Sequence, residues 1–224
     1  MHEYARSTLA TLEVRGLRAG YGRAQVLFDV DLEVRAGEVV ALLGRNGAGK
    51  STTLKAIMGL VPPTAGDVRF DEHDLRALEP YEIARLGLGY VPEDRRIFTD
   101  LTVVENLEVG RQPPRAGAPV WSEERLFQLF PSLASLRERR GARMSGGEQQ
   151  MLCIARTLAG NPRAVLLDEP SEGLAPVVVE HVARAIHELK QAGVAVLLAE
   201  QSRHFAERVA DRTLLLETGI IRKP

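Results

Sequence analysis

The chain has 224 residues, 45% apolar and 26% charged, which suits an ordinary globular protein of one large or two small domains with a substantial core. Its formal net charge of -1 offers no general electrostatic case for nucleic acid or anionic lipid as a partner. The single Cys153 excludes an internal disulfide and suits a reducing compartment, while the longest apolar runs, VVALLG and VAVLLA, are far too short to cross a bilayer.

The start, MHEYARSTLATLEV, has no long apolar stretch and does not read as a secretory signal. LEVRGL and VLFDVDLEV follow in strand fashion, the second alternating as a strand with one wet face should. EVVALLG is continuously apolar and reads as a buried parallel strand. After a glycine turn, KSTTLKAIMGL is predicted to be a helix ending near Gly59. PPTAGDVRFDEHDL reads as a loop, a short strand and a turn. YEIARLG is a short helix, LGYV a strand, and TVVENLEVG a helix with Thr102 as its N-cap. RQPPRAGAPVW, with Pro113, Pro114 and Pro119, is the clearest loop. SEERLFQLF is a helix capped by Ser122, with acids in its first turn.

MSGGEQQ then opens the helix MLCIARTLA, which contains Cys153 as a buried structural thiol. The last third alternates: strand AVLLDE, helix VVVEHVARAIHELKQAG closed by Gly193, strand VAVLLAE, helix SRHFAERVA and strand RTLLLE. Alternation of this kind implies a mainly parallel sheet covered on both faces. The expected class is therefore α/β with antiparallel strands at the N-terminus. It is a single domain with a core over residues 9–61 and 144–224, and an inserted helical subdomain with linking loops over about 62–143.

GRNGAGKS matches G-x-x-x-x-G-K-S/T between a buried strand and a helix, which is the context a phosphate-binding P-loop requires. Gly44, Arg45, Asn46, Gly47, Ala48 and Gly49 let backbone N–H groups turn inward on phosphate oxygens, and the following helix start, through Thr52, adds its positive end. Lys50 reaches the β- and γ-phosphates of a nucleotide, and the Ser51 hydroxyl ligates Mg²⁺. A buried strand ending in acids supplies the rest: Asp168 to hold the metal and Glu169 to polarise the attacking water. Tyr21, in the glycine turn AGYG, can stack on an adenine ring or simply fill the turn. In MSGGEQQ, Ser145 and Glu148 form a capping box, which leaves Gly146 and Gly147 unexplained in a helix they weaken.

GRNGAGKST, MSGGEQQ and AVLLDEP, in that order, resemble the nucleotide-binding subunits of ABC transporters, over nearly the whole chain. The resemblance implies a P-loop NTPase core with ATP and Mg²⁺. It implies that Ser145, Gly146, Gly147 and Glu148 close over ATP held by a second ATPase subunit, that Glu169 is the catalytic carboxylate, and that Tyr21 stacks on adenine. Three positions depart from the family pattern. Glu93 stands where glutamine is usual and still offers a carboxylate to Mg²⁺ or the attacking water. Gln201 stands where histidine is usual, able to hydrogen-bond a γ-phosphate but not to titrate. Ala175 replaces an aspartate.

YVPEDRRIFTDLTVVENL, SGGEQQML, DEPSEGLAP and AEQS resemble the importers of branched-chain and other hydrophobic amino acids, with urea and amide importers close by. That resemblance implies the shorter of two paired ATPase subunits, a hetero-partner being expected although a homodimer is possible. It implies two membrane permease subunits docked near Glu93 to Phe98, an extracytoplasmic solute-binding protein acting indirectly, and a peripheral position on the cytoplasmic face of the plasma membrane. A non-transport ABC ATPase acting on DNA or ribosomes fits less well, since no basic tract or coiled-coil insert is present. A P-loop kinase or GTPase has no use for the signature motif.

Overall fold

The computed structural model describes residues 11–222; residues 1–10 of the stretch read above for a signal, and residues 9, 10, 223 and 224 of the expected core, lie outside the described residues. Two sheets organise the chain. The first is antiparallel, in the order β2 (Ala24–Val34), β1 (Leu12–Tyr21), β4 (Pro63–Phe70), β5 (His73–Asp74). The second has six strands in the order β10 (Ile220–Arg222), β9 (Arg212–Glu217), β3 (Val39–Leu43), β8 (Ala195–Glu200), β7 (Ala164–Asp168), β6 (Leu88–Val91). It is parallel from β9 to β6, and only β10 runs antiparallel.

The central strands read as apolar runs because both faces are covered. In β3, Val39 and Ala41 join one core while Val40 and Leu42 join the other; β7 divides in the same way, with Val165 and Leu167 against Ala164 and Leu166. One core lies under the helices α3 (Val103–Gly110), α4 (Glu123–Leu129), α6 (Gly146–Ala159) and α7 (Pro176–Gln191). The other lies between the parallel sheet, the antiparallel sheet and α1 (Lys50–Ile57). The short helices α2 (Pro80–Leu86) and α5 (Pro131–Ala134) add Ile83 to the second core and Leu133 to the first, and α8 (Arg203–Val209) precedes β9.

The expected caps form. Thr102 and Ser145 each take part in a complete capping box, and the Ser122 hydroxyl accepts from the Arg125 N–H. Pro176 starts α7 after Ala175 without a side-chain cap, as the loss of an aspartate there implies. Cys153 is fully buried, and burial pushes its thiol up to about 11.

One expectation needs correction. PPTAGDVRF is no loop with a short strand: β4 spans 63–70 and pairs along β1 from Leu12↔Phe70 to Ala19↔Pro63. The stretch 62–143, expected to hold the helical subdomain and its linking loops, also contributes to both sheets. Its first part supplies β4 and β5 to one sheet and β6 to the other, and α3 packs on α6, beyond residue 143. Strand pairing with distant partners decided this, and local composition does not report it.

Candidate functional site

The P-loop runs from the end of β3 into α1. Gly49 caps α1 at φ 109, a left-handed conformation open to glycine, and a β-carbon there would meet Leu27 Cδ2 at 2.8 Å. The start of α1 has no side-chain cap and no acid in its first turn. Its N–H groups are thus left for an anion. Arg45, Asn46 and Gly47 are exposed at the loop's tip, whereas Ala48, Gly49, Lys50 and Thr52 are buried and Gly44 and Ser51 partly so. Gly44 donates to the Glu200 carbonyl at 3.2 Å, which ties the loop to the end of β8.

The P-loop and the end of β7 meet directly. Ser51 Oγ donates to Asp168 Oδ1 at 2.8 Å, and Lys50 Nζ lies 3.0 Å from Glu169 Oε1. Both members of the ion pair are almost fully buried, with side chains 3% and 7% exposed. Lys50 also donates to the Gly44 and Arg45 carbonyls at 2.9 and 3.2 Å, so all three of its protons are engaged. Glu169 holds a left-handed backbone, φ 46, which costs a residue with a side chain about 1 kcal/mol or more. The magnesium expectation fits this geometry: an O···O separation of 2.8 Å is close to the edge of an octahedron with Mg–O distances of about 2.0–2.1 Å. A Ser hydroxyl and one carboxylate, with phosphates and water completing the shell, are the usual donors for that ion. Burial raises the Asp168 carboxyl above its ordinary range, a bias that a cation would reverse.

Two residues here went unremarked in the sequence. Tyr90, in β6, donates its hydroxyl to the second Asp168 oxygen at 3.0 Å. Glu200, at the buried end of β8, accepts from the Ser171 hydroxyl at 2.6 Å and from the Gln201 and Ser202 N–H groups at 3.1 Å. It thereby fixes the turns after β7 and β8, and burial raises its carboxyl also. An aromatic in an apolar strand and a glutamate ending one carry no local mark of such roles.

The remaining candidates are exposed. Gln201 lies at the turn after β8 and Glu93 in the loop after β6; the Glu172 carboxyl is raised by its hydrogen bond to Glu169 and further by the Glu93 and Glu200 charges. Tyr21 ends β1 opposite Ala24 and is 52% exposed, with its ring free to stack. His204 is exposed.

The signature serine, Ser145, makes no hydrogen bond to the P-loop among the described residues. Its capping box is closed on Glu148, with Ser145 N–H donating to Glu148 Oε2 at 2.7 Å. The two glycines acquire a structural reason. A β-carbon on Gly147 would meet Val178 of α7 at 2.7 Å, and one on Gly146 would meet the Arg95 guanidinium at 2.8 Å. Arg95 and Arg96 are themselves left-handed, and their carbonyls accept from the Cys153 thiol and from Arg156, which ties the loop after β6 to α6.

A glycine loop feeding a helix start, a buried lysine, and a serine–aspartate pair followed by a glutamate define a P-loop ATPase. The profile of the ABC transporter family matches residues 27–172. The chain belongs to that family, as an ATP-hydrolysing subunit of a transporter. It is 43% identical to the high-affinity branched-chain amino acid transport ATP-binding protein BraG of Pseudomonas aeruginosa, over 90% of this chain and 86% of that protein. It is 37% identical to the lipopolysaccharide export system ATP-binding protein LptB of Escherichia coli K12, over 94% of this chain and 88% of that one. Among solved structures, an ATP-binding subunit of an ABC transporter superposes with a TM-score of 0.81 at 33% identity, covering 95% of this chain and 88% of the other. A dimeric post-hydrolysis cassette, MJ0796 bound to ADP and Pi, superposes at 0.80 and 25% identity, covering 95% and 97%.

Proposed function

We propose that this subunit powers a membrane importer for branched-chain or other hydrophobic amino acids, by hydrolysing ATP at two sites shared between paired ATPase subunits. The observation that carries the reading is the meeting of Lys50, Ser51, Asp168 and Glu169 on one side of the chain while Ser145 and its glycines stay unconnected to them. Half a phosphate site is thus presented to another subunit. Mg²⁺ held by Ser51 and Asp168, with Glu93 at its edge, would neutralise phosphate charge. Lys50 would bind the β- and γ-phosphates, Glu169 would accept the proton of the attacking water, and Gln201 would hydrogen-bond the γ-phosphate.

One surface supports the docking of permease subunits. A groove of about 470 Å³ is lined by Leu60, Tyr81, Phe98 and Val109, each 46–58% exposed, with Arg85 over Tyr81 and Arg156 over Phe98. Exposed apolar side chains gathered in a concavity mark a protein-binding surface, and it adjoins the loop bearing Glu93. Among the described residues no helix is long and apolar enough to cross a membrane. The reading therefore places the subunit peripherally, on the cytoplasmic face, with an extracytoplasmic solute-binding protein acting only through the permease.

BraG's printed role supports amino-acid import, and the same ATPase role in a urea or amide importer is the neighbouring possibility. LptB's identity over 94% of the chain supports a second reading, lipopolysaccharide export. Uptake of labelled leucine, urea and short amides into vesicles carrying the complete complex separates these. Leucine uptake abolished by Glu169→Gln and by Phe98→Asp supports the proposal, whereas no ATP-dependent uptake of any of the three contradicts import.

A further inference from the structure

Tyr90 belongs to two places at once. Its hydroxyl donates to Asp168 Oδ2 at 3.0 Å, while Tyr90 is also one of the residues lining the exposed groove, with Leu60, Phe98 and Thr157. The phenol is partly buried, and its hydroxyl is a donor to that carboxylate. With Ser51 donating to Oδ1, the two oxygens of Asp168 are held from opposite elements, α1 and β6. The strand has little slack on its other side. A β-carbon on Gly89 would meet Thr157 of α6 at 2.7 Å, and the Thr157 hydroxyl approaches the Tyr90 carbonyl at 3.5 Å. A body pressed into the groove would thus meet a residue whose hydroxyl holds the carboxylate proposed to bind the metal.

We infer that Tyr90 is a positioning residue that couples occupancy of the groove to the alignment of Asp168, and through it to Mg²⁺ at the ATP site. The inference rests on the proposed docking of a permease subunit in that groove. It needs no bond made or broken, only a change in the direction of one hydrogen bond. Hydrogen bonds that orient a ligating carboxylate typically change metal affinity by about 10–100-fold when removed. A rigid side chain in contact with both sites is a physically continuous route between them.

The test uses the full chain, alone and in its complex with the permease subunits, comparing wild type with Tyr90→Phe, which deletes only the hydroxyl. Calorimetric titration of the isolated chain with ADP across a range of Mg²⁺ should show the half-saturating Mg²⁺ raised about tenfold in the variant, with ADP binding at saturating Mg²⁺ unchanged. Turnover of the complex at saturating Mg²⁺ should then lose most of the stimulation that the permease confers on wild type. An unchanged Mg²⁺ dependence overturns the positioning of Asp168. A shifted Mg²⁺ dependence with full stimulation retained overturns the coupling and leaves Tyr90 a static support. Failure of the docking reading is read separately: wild-type ATPase would then be indifferent to the permease, and Phe98→Asp would leave the complex intact.

Discussion

Lys50 Nζ lies 3.0 Å from Glu169 Oε1, and both side chains are almost fully buried. The lysine proposed to serve phosphate is thus paired with the carboxylate proposed to serve water. On those roles, binding of a diphosphate would draw Lys50 away from Glu169. Glu169→Gln should therefore bind ADP about tenfold more tightly than wild type, a gain of about 1.4 kcal/mol, as read by calorimetry. Glu172→Gln, which removes a nearby carboxylate that forms no ion pair with Lys50, should move ADP affinity far less. Equal effects would reduce the pair to general repulsion.

The same substitution should slow hydrolysis by about 10²–10⁴-fold, the usual contribution of a positioned general base. ATP binding and ATP-dependent pairing of subunits should survive. Unchanged steady-state turnover in Glu169→Gln would remove Glu169 from the catalytic role.

Ser145 carries both a helix cap and the proposed contact across the subunit interface. Ser145→Ala should cost about 1 kcal/mol in urea unfolding and lower turnover by about 10²-fold, with ADP affinity of the single chain unchanged. Glu148→Gln keeps the capping geometry and should leave both measurements close to wild type. Gly147→Asp is a poorer probe, because its β-carbon would press on Val178 at 2.7 Å and lost activity would be confounded with a displaced α7.

Asp168 and Glu200 are both raised by burial, so the folded chain retains protons on them at pH values where the unfolded chain has released them. Stability of the nucleotide-free protein should therefore fall as pH rises from the ordinary carboxylate range through their raised values, and recover on acidification across that window. Glu200→Gln should flatten this slope in urea titrations run upward from the ordinary carboxylate range. A slope identical to wild type would show that Glu200 titrates normally.

Much of this was legible because it is local. The P-loop, the Thr102 cap, the Ser145–Glu148 capping box and the buried parallel strands follow from residues within one turn or strand of each other, and each forms where the pattern placed it. What was not legible depends on partners far along the chain. Pro63 and Gly66 marked a loop, yet β4 forms there because β1 offers it a long antiparallel edge. Tyr90 and Asp168 are 78 residues apart. Gly147 is small because Val178 arrives from another helix. Residues such as these acquire their roles from packing, which composition and spacing do not encode.

The central claim is that one chain holds only half of each hydrolytic site. Its most direct test is the specific ATPase activity of the purified full chain, alone and with its companion ATPase subunit, across a hundredfold dilution at saturating Mg²⁺ and ATP. A composite site predicts specific activity that falls steeply on dilution and is restored by adding the companion, or more of the same chain. Specific activity that stays constant across the dilution series would contradict it.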